Sequence, residues 1–151
     1  MILRSVAILG LAVAAAAAAT AHDYAAGKLR IRHAWITPAA AGAPTTAAYL
    51  TIVNTGDAPD RLVAVEVKDA RSADIHRSTM DGGVMRMRKL DDGLVIAPGG
   101  TVTLAPGGDH VMVMGLTHAL KPGDRTPAVL TFAHAGKVKV TLDVQRFADT
   151  H

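Results

Sequence analysis

Cysteine is absent from the chain, and that absence excludes more than any other. Thiol nucleophiles, disulfide scaffolds, thiolate zinc sites, iron–sulfur clusters and the Cys-ligated blue-copper centre are all ruled out. Aromatics are scarce: two Tyr, two Phe and one Trp in 151 residues. A core must therefore be assembled from Val, Leu, Ile and Ala, with Met as filler. Glutamate occurs once, at Glu66; the other twelve acidic residues are Asp. The net charge of +3 is spread along the chain, without the basic stripe that nucleic acid requires. No Ser/His/Asp arrangement or paired carboxylate stands out, and the Pro-Gly-Gly turns lack the Lys and Ser/Thr of a phosphate loop. Against these shortages, seven His and six Met are a conspicuous excess.

Long hydrophobic runs are also missing, except at the start. Residues 1–21 read MILRSVAILGLAVAAAAAATA, with Arg4, an apolar stretch over 6–19, and then Ala19-Thr20-Ala21. This is the charged, apolar and small-x-small order of a secretory signal peptide. The alternative is a retained membrane anchor, but the run is at the short end for crossing about 30 Å of hydrocarbon. Cleavage after Ala21 leaves residues 22–151 as one domain and removes Arg4, so the net charge falls from +3 to +2. The expected destination is a bacterial periplasm, an oxidising compartment in which a Cys-free chain is indifferent to disulfide chemistry.

The remaining residues alternate short apolar segments with turn signals at about ten-residue spacing, the pattern of an all-β sandwich or barrel. Strands are expected over 29–35, 47–53, 61–67, 84–90, 94–96, 101–104, 110–116, 127–134 and 137–144. A tight turn at Ala135-Gly136 joins the last two. In the first, Leu29, Ile31, His33 and Trp35 share a face. In the last, Val138, Val140, Leu142 and Val144 face inward, and Lys137, Lys139, Thr141 and Asp143 face solvent. No window has a helical period.

Five of the six Met fall in two segments, 76–88 and 110–114. Residues two apart on a strand face the same way, so His110, Met112 and Met114 project together, opposite Val111 and Val113. The two valines compete for the core and push His110 and Met112 outward. Met85 and Met87 also share a face. Met85 and Met114 are read as packing, and Met87 is ambiguous because Arg86 and Arg88 both favour solvent. Thioethers are soft and neutral and select Cu(I), while imidazole suits copper in either oxidation state. A Met/His set holds Cu(I) without the disulfide hazard of a Cys pair, although Met can oxidise to its sulfoxide. The expected site takes nitrogen from His76 and His110 and sulfur from Met87 and Met112.

This pattern — His76, ten residues, Met87, a gap, then His110-x-Met112 — resembles the motif of the PCu(A)C family of periplasmic copper chaperones. Ala48-Tyr49-Leu50-Thr51-Ile52, Asn54-Thr55-Gly56, Asp60-Arg61-Leu62, the run from Asp81 to Arg88, and Pro106-Gly107-Gly108 before His110 also resemble that family. The likeness runs from about Leu29 to Phe147. It implies a cupredoxin-like, Greek-key β-sandwich that binds Cu(I) through His76, Met87, His110 and Met112. It also implies delivery to a cytochrome c oxidase subunit, alongside a Sco-type copper protein. Two departures are visible. Twenty-two residues separate Met87 from His110, one more than the motif's usual spacing, and the Asp91-Asp92 turn can absorb the extra one. Some members carry Met directly after the first His, where this chain has Arg77; Met80 is a nearby sulfur that could substitute.

Arg71, Arg77, Arg86, Arg88 and Lys89 read as a solvated face or as steering toward an acidic partner. After cleavage His22 would be the amino terminus, where its amine and ring offer an auxiliary Cu(II) site. A copper oxygenase built on that chelate would need a second His and an aromatic substrate surface, and aromatics are few. His33, His118, His134 and His151 read as structural or exposed. The function expected is non-enzymatic copper carriage by a monomer with no membrane span after cleavage. The alternatives are copper scavenging or tolerance, or a metal-free structural sandwich in which Met112 and Met114 are core.

Overall fold

The computed structural model describes residues 23–149. The proposed signal segment 1–21, His22 and His151 lie outside the described residues. Eleven strands follow one another: β1 (Tyr24–Ala26), β2 (Leu29–Ile36), β3 (Thr45–Asn54), β4 (Asp60–Val67), β5 (Ser72–Asp81), β6 (Val84–Lys89), β7 (Leu94–Ile96), β8 (Thr101–Leu104), β9 (His110–Met114), β10 (Arg125–Phe132) and β11 (Gly136–Val144). A short 3₁₀ turn over Phe147–Asp149 ends the described chain. Among the described residues no helix is long and apolar enough to cross a membrane.

The strands form one hydrogen-bonded path, β6-β5-β9-β3-β2-β11-β10-β4-β7, with β1 added to β2 and β8 to β3. All pairings are antiparallel except β2 with β11. The cupredoxin-like sandwich encloses Ile31, Leu50, Ile52, Leu62, Ile96, Leu104, Val111, Val113, Leu130, Phe132 and Leu142, each at most 2% exposed. β11 keeps the expected alternation: Val138, Val140, Leu142 and Val144 are buried and the intervening residues are not. Among the described residues no Met belongs to this core. Branched aliphatics fill it, so the thioethers are left for the surface.

Three details differ from the sequence-based expectations. β5 carries His76 but has a single fully buried side chain, Ile75, so it offers no apolar alternation to detect. β2 breaks its pairing with β3 between Arg32 and Trp35, where His33 adopts φ 48°. This bulge leaves His33 exposed and turns Trp35 to the outer face beside its pairing partner Tyr49. Finally, Phe132 pairs with Gly136, so the β10–β11 connection is Ala133–Ala135, not a tight turn at Ala135-Gly136. Its shape depends on Asp60 of β4, which is 8% exposed. The Asp60 carboxylate accepts the backbone N–H groups of Arg61, His134 and Ala135 at 2.7, 2.9 and 2.9 Å.

Candidate metal centre

Four adjacent strands build one outward face. In the β5–β9 ladder His76 lies opposite His110 and Asp74 opposite Met112. In the β3–β9 ladder Ala47 lies opposite Met112. In the β5–β6 ladder Ser78 lies opposite Met87 and Met80 opposite Met85. Directly paired residues point to the same side of a sheet. His76, Met87, His110 and Met112 therefore share a face, turned away from Ile75, Val111 and Val113, which are buried. A depression of about 320 Å3 on this face is lined by Met85, Met87, His110 and Met112, with Ser78, Thr45, Ala47 and Tyr49 among the others. His76 sits beside it, its ring centroid 5.8 Å from that of His110.

The two imidazoles are held differently. His110 is only 5% exposed. It lies on the outward face, as Val111 and Val113 predict, but neighbouring strands and the turn before β9 cover it. Its Nδ1–H donates to the Gly108 carbonyl at 3.0 Å. That fixes the ring and leaves the lone pair on Nε2, the usual arrangement of a ligating histidine. His76 Nδ1 is buried with no hydrogen-bond partner among the described residues. An unsatisfied buried polar atom costs about 1–3 kcal/mol, a cost that a bound ion would relieve. Burial, reinforced by the charge of His110, pushes the His76 pKa below the ordinary imidazole value, against the pull of Asp74. The ring therefore stays neutral, able to ligate, at lower pH than a free histidine. Metal–nitrogen bonds of about 2 Å allow ring centroids up to about 6 Å apart around a shared ion, so the observed separation fits.

The sulfurs are more open. Met87 is 55% and Met85 49% exposed; Met112 and Met114 are half-buried. Met85 and Met114 are thus not core packing, and neither Met112 nor Met114 behaves as the metal-free sandwich requires. Among the described residues no three His, Asp or Glu side chains gather as a metal site.

Several contributors went unrecognised in the sequence. Arg77 follows His76 and Asp109 precedes His110, and the two form a bidentate pair at 2.9 and 3.0 Å. That pair ties β5 to the turn carrying the Gly108 carbonyl. Lys89 and Asp74 are paired at 3.0 Å beside His76, and the carboxylate raises the Lys89 pKa above its ordinary value. The basic cluster around the site is therefore partly neutralised. Tyr49 forms an aromatic wall with Trp35, centroids 4.6 Å apart, and Phe147 packs edge-on against Trp35 at 5.9 Å. The adjacency of Arg77 and Asp109 to the two histidines was the available signal. Nothing in the sequence announced the β2 bulge that builds the wall. A larger cavity of about 470 Å3 lies around Asn54 and Asp60 at the far end of β3, but those side chains are already engaged by backbone groups.

A cupredoxin-like sandwich bearing a His/Met face is a small soft-ligand domain without thiolates. The chain belongs to the PCuAC family of copper-chaperone domains: residues 29–144 match the family model described as "Putative lipoprotein LpqE-like". A protein of Leifsonia xyli subsp. xyli (strain CTCB07), "Putative lipoprotein Lxx21020", is 31% identical over 141 residues, covering 93% of this chain and 84% of the relative. Among solved structures, the copper-bound PCuAC domain from PmoF2 is 31% identical with a TM-score of 0.70, covering 82% of this chain and 97% of that one. The solution structure of CuI-DR1885 from Deinococcus radiodurans is 33% identical with a TM-score of 0.59, covering 76% and 77%.

Proposed function

We propose that the chain is an exported, periplasmic Cu(I) chaperone that holds one ion between His76, Met87, His110 and Met112. It would pass the ion to a cytochrome c oxidase subunit or a Sco-type copper protein, acting as a monomer and without catalysis. One observation carries the reading: the strand registers gather two imidazoles and the thioethers of Met87 and Met112 on one outward face. The fixed Nδ1 of His110 and the unpartnered Nδ1 of His76 support it, as does the likeness to copper-bound relatives. Soft neutral sulfur favours Cu(I) over Cu(II) and over zinc. The exposed Met87 suits transfer, because an incoming ligand can attack the ion while the histidines still hold it.

Met112→Leu tests this. The swap nearly conserves volume and costs less than about 1.5 kcal/mol of stability, but it removes a sulfur. Anaerobic competition against a Cu(I) chelator should show one tight equivalent for the unaltered chain and about a 10- to 100-fold weaker one for the variant. Unchanged affinity would remove Met112 from the ligand set. Asp109→Asn should act more mildly. It loses the Arg77 clamp but no ligand, so affinity should fall about tenfold, with the His110 ring resonances broadened in NMR spectra.

A further inference from the structure

The β5–β6 hairpin carries more sulfur than the proposed centre uses. Seven large hydrophobic side chains are exposed among the described residues, and four of them, Met80, Val84, Met85 and Met87, lie on this hairpin. Scattered exposed apolar residues need no explanation, but a cluster does. Packing does not explain this one. Every residue of β6 is exposed, β6 ends the sheet path, and Met80 is 68% exposed. Gly82 and Gly83, both at positive φ, form the two-residue turn that sets Met80 directly opposite Met85. Such pairs have Cβ atoms about 4.5–5.5 Å apart, so two thioethers can reach one ion. Ser78, opposite Met87, is small and keeps the way toward the histidines open. Thr79 and Arg77 pair with Arg86 and Arg88, which places those guanidinium groups on the other face. Lys89 shares the sulfur face, but it lies opposite His76, away from the hairpin tip, and its charge is paired with Asp74 at 3.0 Å.

We propose that Met80 and Met85 form a second, weaker thioether site for a soft monovalent ion at the hairpin tip, from which Cu(I) steps to Met87 and the histidine pair. The inference rests on the proposed Cu(I) cargo and concerns its route. Each step is ligand exchange: one copper–sulfur bond forms as another breaks, copper stays Cu(I), and no proton or electron moves. Met85 suits the relay because it pairs with Met80 at the tip and also lines the depression beside Met87, His110 and Met112.

The test uses the full chain labelled with ¹³C at the methionine methyls and titrated with Ag(I), a soft ion that does not change oxidation state. The first equivalent should shift Met87 and Met112, and the second should shift Met80 and Met85. In Met80→Leu the second step should vanish from Met85 while the first persists, and Cu(I) uptake from a chelator should slow several-fold. Met80 and Met85 unmoved through two equivalents, or moving together with the first, would overturn the second site. Met87 and Met112 unmoved would instead contradict the central site, so the two failures are distinguishable.

Discussion

His110→Ala should weaken Cu(I) binding by about 100-fold or more. Residues that merely orient a ligand contribute about 10- to 100-fold to metal affinity; losing a buried, fixed imidazole ligand should reach at least the top of that range, above the loss expected for the more open Met112 thioether. His110 has the tightest constraints on the face. It is 5% exposed, its Nδ1 is engaged by Gly108 at 3.0 Å, and its ring neighbours His76. A sequence reading that places this ring outward suggests that Ala is nearly harmless to folding. Burial corrects that: the variant leaves a cavity under the turn before β9 and should lose about 1–2 kcal/mol of stability. Chelator competition and urea unfolding, run on the same preparation, separate the two effects. A variant that keeps its copper affinity would exclude His110 from the centre.

Asp60→Ala should damage the fold strongly, with copper chemistry uninvolved. The substitution strips the acceptor from three backbone N–H groups, those of Arg61, His134 and Ala135. Hydrogen bonds to a charged group contribute about 1.5–3 kcal/mol each, and water entering the turn restores part of that. A net loss of about 3 kcal/mol is expected, or a drop of about 10 °C in Tm. The pH dependence has a definite sign. Burial alone would raise the Asp60 pKa, but the three N–H donors and the nearby His134 outweigh it and hold the carboxyl below its ordinary value. The folded state therefore binds this proton less readily than the unfolded state. The stabilisation is fully present above the unfolded pKa of about 3.9 and is lost as pH falls through the lower folded value. Acid unfolding of the unaltered chain should include this loss below about pH 4, and Asp60→Ala should lack it. Equal stability of the two chains at neutral pH would contradict the assignment.

Much of this arrangement was legible in the residues, for identifiable reasons. Val111 and Val113 forced the alternation of β9. The β11 alternation needed no tertiary information. β5 escaped detection because its outward face carries His, Ser and Met while its inward face has a single buried aliphatic, Ile75. A functional strand next to a sheet's edge need not look like a strand. The His33 bulge escaped because a strand of alternating residues gives no sign of where an extra one will be inserted. Met85 and Met114 were misplaced by the general tendency of methionine to fill cores, which fails here because aliphatics already fill the interior. The Arg77–Asp109 clamp depends on two segments meeting in space, and only the fold brings them together.

The central claim is that two imidazoles and two thioethers share one cuprous ion. X-ray absorption at the copper edge of the Cu(I)-loaded chain tests it most directly. The account predicts a reduced-copper edge and a shell containing both nitrogen and sulfur scatterers, with the sulfur signal diminished in Met112→Leu. A shell of nitrogen and oxygen alone, unchanged by that substitution, would contradict it.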